Sequence, residues 1–440
     1  MGTVLVCSRF YGCNQPNTHK NKQPIKPQPT KNKQPPPKKQ STKQLINQTT
    51  NMLKKLTTAL FCAFAIASHA QKAADTSCCA AGSTPKVMAQ RANDYFMAKW
   101  SDPTEPTKAK KLRPSNLWTR AVYFEGLMAL NDIDPQKRYT DYIDTWATFH
   151  KWMPRNGVTT VHADDQCCAQ VYLERYCQTG GEEKVKYVKE NFDNQIARGT
   201  NRDWTWIDAI QMAMPAFVRL SAITKDRKYL DYAMQSYTWS RDTCGGKLFN
   251  TAEGLWWRDA NFVPPYKESD GKNCYWSRGN GWVYASYVRV MMLLPKKDQY
   301  YKKMKNDFLM MSAALLPLQR EDGFWNASLA SQDYAGKELS GTALFLYGMS
   351  WGVRHGYLSK KKYMPAIEKA WSAIASCVHK DGFLGYVQGT GDRPASSQPV
   401  TYEKEPDFDD YGLGCFLLGA TEYHKLKNGI NYDTVVRTIE

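Results

Sequence analysis

The sequence predicts an all-α fold, and three observations lead to that prediction. Helical periodicity dominates the chain from about residue 86 onward, strand signals are few and short, and a helical-hairpin pattern recurs. Hydrophobic residues make up 42% and aromatic residues 13% of the 440 residues. This apolar content is sufficient for a large core and excludes global disorder.

Twelve helical segments can be drawn from the spacing of apolar residues. They lie at roughly 86–100, 116–132, 136–152, 165–178, 183–197, 205–223, 227–242, 280–294, 298–317, 340–356, 361–378 and 412–426. A basic residue followed by Tyr begins several of them, as at Lys137-Arg138-Tyr139 and Lys361-Lys362-Tyr363. Two similar Asp-Gly turns, Asp322-Gly323 and Asp381-Gly382, are expected to end helices. The repeat indicates six helical hairpins.

Six hairpins that close into a ring form an (α/α)6 barrel, with a site at one mouth. A linear helical solenoid fits the same repeat and is the structural alternative.

The N-terminal region has a different composition from the rest of the chain. Residues 1–51 are predicted to be a disordered basic extension or the product of a misplaced start site, because residues 14–51 are rich in Lys, Gln, Pro, Asn and Thr. Residues 52–70 combine a basic start, an apolar run from Thr57 to Ala67 and the small-x-small sequence Ser68-His69-Ala70. This arrangement predicts a signal peptide cleaved after Ala70 and a periplasmic or secreted protein. The remainder, residues 71–440, is predicted to be a single (α/α)6-barrel catalytic domain. The apolar run is too short for a stable membrane anchor.

The net charge of +17 does not predict nucleic-acid binding. Residues 1–70 contain eleven Lys and Arg and no acid, which leaves 17 − 11 = +6 on the remainder. No phosphate-binding glycine loop, GxSxG or HExxH motif occurs, and no CxxC pair has zinc spacing. We therefore expect no cofactor and no metal. The nine cysteines after residue 70 include several expected buried free thiols, and no feature predicts an oligomeric state.

Two acidic motifs are candidates for catalysis. Asp164 and Asp165 stand at the predicted start of a helix, where capping is the alternative interpretation. Asp208 follows Trp206 in an aromatic and aliphatic stretch, where burial is expected to raise the pKa of a carboxyl group into the range useful for proton donation. Capping of a helix N-terminus is the alternative interpretation of Asp208 as well.

Further polar and aromatic residues are candidates for substrate binding. The stretch Trp276-Ser277-Arg278-Gly279-Asn280-Gly281-Trp282 combines an arginine, which can bind a carboxylate, with Trp282, which can stack on a sugar. Ser340 and Thr342 offer hydroxyl groups at another helix start, although capping also explains Ser340.

These motifs together resemble the unsaturated glycuronyl hydrolases, in particular the unsaturated rhamnogalacturonyl hydrolases of glycoside hydrolase families 105 and 88. The resemblance covers about residues 85–427, through Asp164-Asp165, the Trp206-Ile207-Asp208 helix, Gly254-Leu255-Trp256-Trp257, Trp276 to Trp282, Ser340 to Ala343 and Asp410 to Gly414. It implies an (α/α)6 barrel and hydrolytic removal of a terminal 4,5-unsaturated uronic acid from lyase-generated oligosaccharides.

The same resemblance implies roles for individual residues. Asp208 is implied as the general acid and base, and Asp164, or in another register Asp165, as the second essential acid. Arg278 and Trp282 are implied as substrate-binding residues. Trp206, Trp257, Arg258, Ser340 and Thr342 are further candidates for substrate contacts. Members of the family often carry His where this chain has Arg258, which bears on the identity of the uronide.

Two other classes of function are compatible with the sequence. One is a different catalyst on the same barrel: a conventional inverting glycosidase, a polysaccharide lyase, or an epimerase, which is disfavoured because the chain is poor in histidine. The other is a non-catalytic glycan-binding protein, which needs exposed aromatic residues but no buried Asp208.

Overall fold

The computed structural model describes residues 83–108 and 111–433, all of which belong to one compact unit, Ala73–Glu440. The predicted extension at 1–51 and the predicted signal peptide at 52–70 lie outside the described residues, as do Cys78 and Cys79.

The described chain is helical, with inner and outer helices alternating along the sequence. The outer helices are α1 (Pro85–Lys99), α3 (Lys137–Phe149), α6 (Glu183–Ala197), α8 (Arg227–Asp242), α10 (Gln299–Leu315) and α12 (Lys360–Ala375). The inner helices are α2 (Trp118–Ile133), the pair α4 (Ala163–Gln166) and α5 (Ala169–Thr179), α7 (Asp208–Thr224), α9 (Ser277–Leu293), α11 (Leu339–Arg354) and α13 (Asp410–Lys427). All twelve predicted segments are helical, and the fourth is divided into α4 and α5.

The inner helices form a closed ring. Each packs against the next in the order α2, α5, α7, α9, α11 and α13, and α13 packs against α2. Each inner helix from α2 to α11 packs against the outer helix that follows it in the chain. The last inner helix, α13, packs against the first outer helix, α1. The closed ring confirms the (α/α)6 barrel and excludes the linear solenoid, in which the first and last repeats do not meet.

Glycines on the inner helices allow neighbouring helix backbones to approach closely. A Cβ atom on Gly126 of α2 would lie 2.7 Å from the carbonyl oxygen of Gly414 on α13, and one on Gly419 would lie 2.8 Å from that of Ala343 on α11. The first and last inner helices are also joined by a buried ion pair, in which Arg120 Nε donates to Asp410 Oδ2 at 3.2 Å. A second buried ion pair, between Lys425 on α13 and Asp132 on α2, joins the same two helices. The ring is therefore closed by backbone proximity and by buried charge pairs.

Loops of varied length, the longest at 243–276 and 376–409, and two small hairpins complete the unit. The strand pairs are β1 (Thr107–Lys108) with β2 (Leu112–Arg113) and β3 (Phe249–Asn250) with β4 (Leu255–Trp256), both antiparallel. The two predicted Asp-Gly turns are present, with φ of +88° at Gly323 and +104° at Gly382, a conformation that favours glycine. They do not end helices as predicted, because α10 ends at Leu315 and α12 at Ala375, and each turn lies in the loop that follows. In each turn the backbone N–H two residues beyond the Asp donates to its carboxylate.

The seven cysteines of the described region, from Cys167 to Cys415, are free, and all except Cys177 are buried. This confirms the expectation of buried free thiols. Of the helices in the described ranges, none combines the length and apolar character needed to cross a membrane.

A methyl group at the α2–α13 contact should weaken the barrel. Gly126→Ala is expected to lower the free energy of unfolding by about 1–3 kcal/mol, because overpacking exceeds the gain in helix propensity. Urea denaturation followed by circular dichroism measures the change. Gly336→Ala is the matched control, since a Cβ atom at Gly336 has no neighbour within 4 Å. Equal stability of the two variants would contradict the close-packing argument.

Candidate active site

The N-termini of the inner helices meet at one mouth of the barrel and bring the predicted acids together. Ser277 at the start of α9 lies against Gly341 at the start of α11, and Thr119 and Arg120 at the start of α2 bind Asp410 at the start of α13. Asp164 in α4 and Asp208 at the first position of α7 lie close enough that each charge influences the other. The positive ends of the helix dipoles therefore point toward this mouth.

Asp208 lies in a recess beside Arg258. Its side chain is 12% exposed, and Arg258 Nε donates to Asp208 Oδ2 at 3.2 Å. Arg258 also donates to Asp259 Oδ2 at 2.7 Å, and its carbonyl accepts from the N–H of Ile207 at 2.9 Å. Burial raises the pKa of Asp208 above its usual value, although the guanidinium groups of Arg258 and Arg278 oppose that rise. Asp208 is thus a partly desolvated carboxyl group held by a cation.

Asp164 and Asp165 occupy different environments although they are adjacent in sequence. Asp165 is 3% exposed, and its carboxylate accepts from Arg155 Nη1 at 2.6 Å, Asn156 Nδ2 at 2.9 Å and Thr160 Oγ1 at 2.7 Å. Asp165 therefore holds the preceding loop in place.

Both acids line a cleft of about 480 Å³, but the Asp164 side chain is 27% exposed and its carboxylate is not engaged by the loop donors that bind Asp165. Its nearest basic partner is His162, whose Nδ1 lies 3.9 Å from Asp164 Oδ2. Desolvation and the negative charges of Asp208 and Asp165 raise the pKa of Asp164 to about 7. The imidazole of His162 caps α4 by accepting from the N–H of Asp164 at 3.3 Å, so capping does not explain either acid.

Arg278 lies beneath the site and is only 1% exposed. Its Nη1 donates to the carbonyl of Gln388 at 2.7 Å and its Nη2 to that of Gly389 at 2.9 Å. The guanidinium lies 4.5 Å from the Trp276 ring centre and 5.0 Å from the Tyr411 ring centre. In this structure Arg278 ties the 388–389 loop to the start of α9, and its predicted contact with substrate stays a prediction.

The other predicted substrate contacts divide into accessible and buried groups. Trp206 is partly exposed and its ring lies 4.9 Å from that of His162, while Arg258 is 22% exposed. Trp257 and Trp282 are buried, at 5% and 0% exposed.

Ser340 and Thr342 are also buried, with both hydroxyls bound to Glu338, which caps α11 through the N–H groups of Ser340 and Gly341. The structure thus brings Asp208, Asp164, Arg258 and Trp206 to the mouth and places Ser340 and Thr342 in a helix cap.

Sequence reasoning missed several residues that line the 480 Å³ cleft. Trp118, Arg113, Arg155 and Phe408 all border it together with Asp164. Trp118 is partly exposed, and its ring lies 5.2 Å from that of Tyr411. Trp118 stands in an apolar run that is typical of a core helix, and Arg113 stands in a loop without a motif. Only the position of Trp118 at the start of an inner helix could have indicated its exposure.

Comparison with known proteins identifies the family. The profile of glycosyl hydrolase family 88 matches residues 88–427. The unsaturated 3S-rhamnoglycuronyl hydrolase of Alteromonas sp. (strain LOR) is 30% identical over 372 residues, covering 77% of this chain and 86% of that protein. The chain therefore belongs to glycosyl hydrolase family 88, which confirms the predicted resemblance and the prediction of a glycoside hydrolase.

Solved structures agree with this assignment. A family 88 glycosyl hydrolase from Bacteroides vulgatus superposes with a TM-score of 0.70 and 29% identity, over 78% of this chain and all of that one. A protein described as a polysaccharide lyase gives the same TM-score with 28% identity, over 78% of this chain and 97% of that one.

The raised pKa of Asp164 should make stability depend on pH. A carboxyl group whose pKa rises from 3.8 to about 7 on folding costs stability when it ionises, so the cost is absent below pH 3.8 and complete above pH 7. Asp164→Asn is expected to be more stable than the wild type by about 2 kcal/mol at pH 8 and equally stable at pH 4, allowing for partial exposure. Urea denaturation at the two pH values measures the difference. Asp165→Asn, which replaces one acceptor oxygen with an NH2 group and removes the charge that pairs with Arg155, should be destabilised at both. A stability gain for Asp164→Asn that is the same at both pH values would contradict the assigned cause.

Proposed function

We propose that this family 88 member removes a terminal 4,5-unsaturated uronic acid from lyase-generated oligosaccharides by hydrating the C4=C5 vinyl ether. The observation that carries the proposal is the pair Asp164 and Asp208 at the mouth, with both pKa values raised. The relative from Alteromonas, described as an unsaturated 3S-rhamnoglycuronyl hydrolase, supports this substrate class. A non-catalytic glycan-binding protein has no use for two partly desolvated acids.

The pair supplies the proton chemistry that hydration needs. Burial raises the pKa of both carboxyl groups, and the neighbouring negative charges help to raise that of Asp164 to about 7, so protons are held here more readily than by exposed aspartates. In the proposed sequence Asp208 donates its proton to C4, water adds to C5, and Asp208 recovers a proton from that water. The hemiketal formed at C5 then opens and expels the remaining sugar. Arg258 stabilises the Asp208 carboxylate between these two steps.

Asp164 is the better candidate for the second acid. Its carboxylate is accessible from the cleft, whereas that of Asp165 accepts three hydrogen bonds from the preceding loop. We assign Asp164 to holding the attacking water or a ring hydroxyl. Arg258, the exposed cation beside Asp208, is assigned to the uronate carboxylate, a role the sequence placed on Arg278. The cleft bordered by Trp118 and Arg113 has the size and mixed lining of a sugar site and is assigned to the next sugar of the chain.

A polysaccharide lyase is the second candidate, because one solved structure with 28% identity is described as a lyase. A lyase removes the C5 proton of an intact uronide and creates the C4=C5 bond. The proposed hydrolase consumes that bond. Ultraviolet absorbance of the conjugated unsaturated uronate therefore changes in opposite directions for the two activities.

Incubation with lyase-generated unsaturated oligosaccharides should lower their ultraviolet absorbance. Asp208→Asn is expected to reduce kcat by about 10²–10⁴-fold while the helical circular dichroism is unchanged, because general acid–base catalysis typically contributes that amount. A rise in ultraviolet absorbance with the intact polysaccharide, together with no loss of absorbance with the unsaturated product, would indicate a lyase.

Three further variants separate the catalytic roles from structural ones. Asp164→Asn should lose turnover with its fold intact, and Asp165→Asn should lower the melting temperature. Asp141→Asn, on the exposed face of α3, is the control for removal of a carboxylate and should leave both properties unchanged. If Asp208→Asn keeps wild-type turnover, the assignment of Asp208 as the proton donor is wrong.

We also propose that the enzyme acts outside the cytoplasm, in the periplasm or after secretion. The support is the composition of residues 52–70, with its basic start, apolar run and small-x-small end. The mature protein recovered from its native source should begin at Gln71 when its N-terminus is determined by mass spectrometry. A mature protein that retains residues 52–70 would contradict the proposal.

A further inference from the structure

A buried carboxylate one helical turn below the catalytic pair contacts both helices that carry the acids. Glu125 on α2 is 2% exposed. Its Oε2 accepts from Gln211 Nε2 on α7 at 2.9 Å, and its Oε1 accepts from Cys167 Sγ at 3.6 Å. Gln211 follows Asp208 by three residues, and Cys167 follows Asp164 by three residues. Glu125 therefore joins equivalent positions beneath the two acids.

The surrounding polar groups fix this carboxylate in place. Arg289 Nε on α9 lies 3.7 Å from Glu125 Oε2 and donates to Gln170 Oε1 on α5 at 2.8 Å. Gln170 Nε2 in turn donates to the backbone carbonyl of Gln211 at 2.7 Å. The network thus connects four inner helices, α2, α5, α7 and α9, at the same depth in the barrel. Burial raises the pKa of Glu125 to about 7, so retaining an ionisable group here is costly for folding.

We infer that Glu125 is a positioning residue that sets the separation of Asp164 and Asp208 by tethering Cys167 and Gln211. The inference rests on the proposed function, since it takes Asp164 and Asp208 as the reacting acids. Glu125 lies below the mouth and does not line the cleft. Its loss is therefore expected to affect the alignment of the acids more than the binding of substrate.

The test compares variants that keep or break the tether. Glu125→Ala removes both contacts and should lower kcat on the order of 10–100-fold with KM changed less than about threefold, because a misplacement of about 1 Å can cost a hundredfold in rate. Glu125→Gln keeps an acceptor for Gln211, and its NH2 group can donate to Cys167 Sγ in nearly the same volume, so kcat should stay within about threefold of the wild type. A purely structural role predicts no such split between kcat and KM.

Two additional measurements keep the test decisive if Glu125→Ala does not fold. Gln211→Met removes the tether to α7 while preserving bulk, and Cys167→Ala removes the other tether. Each should lower kcat by itself, and their effects should not add when they are combined. Glu422→Ala is the control: Glu422 is a buried carboxylate on α13 that pairs with Arg354 at 2.6 Å, and its loss should lower the melting temperature without changing kcat.

The outcomes distinguish failure of the inference from failure of the proposed function. If Asp208→Asn is inactive while Glu125→Ala and Gln211→Met keep wild-type kcat, the positioning role is wrong and the catalytic assignment stands. The positioning role is also wrong if Glu125→Gln loses as much kcat as Glu125→Ala, because the charge would then matter more than the tether. If Asp208→Asn keeps its turnover, the proposed function itself is wrong.

Discussion

Close packing between inner helices is the constraint on which the rest of the structure depends. The backbone contacts at Gly126 and Gly419 bring α13 within reach of both α2 and α11, and this proximity closes the ring. Because inner and outer helices alternate along the chain and run in opposite directions, every inner helix begins at the same end of the ring. The polar residues at those starts are therefore gathered at one mouth although they are far apart in sequence.

The same arrangement determines the electrostatics of the mouth. The starts of the inner helices present positive dipole ends, and the acids there are shielded from water by the neighbouring helices. Asp208 and Asp410 both have raised pKa values because they are buried, yet their partners differ. Asp410 pairs with Arg120, which is equally buried and joins α13 to α2, whereas Asp208 pairs with Arg258 on a partly exposed loop. Asp410 thus helps to close the ring, whereas Asp208 is available for chemistry.

The sequence was sufficient for the helices but not for the orientation of individual side chains. Apolar periodicity located all twelve segments because inner and outer helices both bury a continuous face. The break between α4 and α5 was not visible, since Cys167 and Cys168 continue the helical pattern. Arg278 was expected in the pocket because an arginine in a stretch with glycines and Trp282 can bind the carboxylate of a sugar acid. In the structure the first turn of α9 directs its guanidinium to backbone carbonyls instead.

The sequence could not distinguish the roles of Asp164 and Asp165, because only the folded loop shows that Arg155, Asn156 and Thr160 converge on Asp165. A motif cannot specify which of two neighbours keeps an accessible carboxylate, since that depends on helix rotation and on a loop with no periodicity.

The pairing of α2 with α13 has a consequence for synthesis of the protein. Arg120 and Asp410 are separated by 290 positions in the chain, so the first inner helix reaches its partner only after nearly all of the polypeptide has been made. Until then the apolar face of α2 has no final neighbour, and the entropy lost in bringing such distant segments together has not yet been recovered. A nascent chain that is stalled before residue 410 therefore exposes an apolar helix surface to which chaperones can bind. The ring can close only after the eighteen-residue helix α13 has been synthesised.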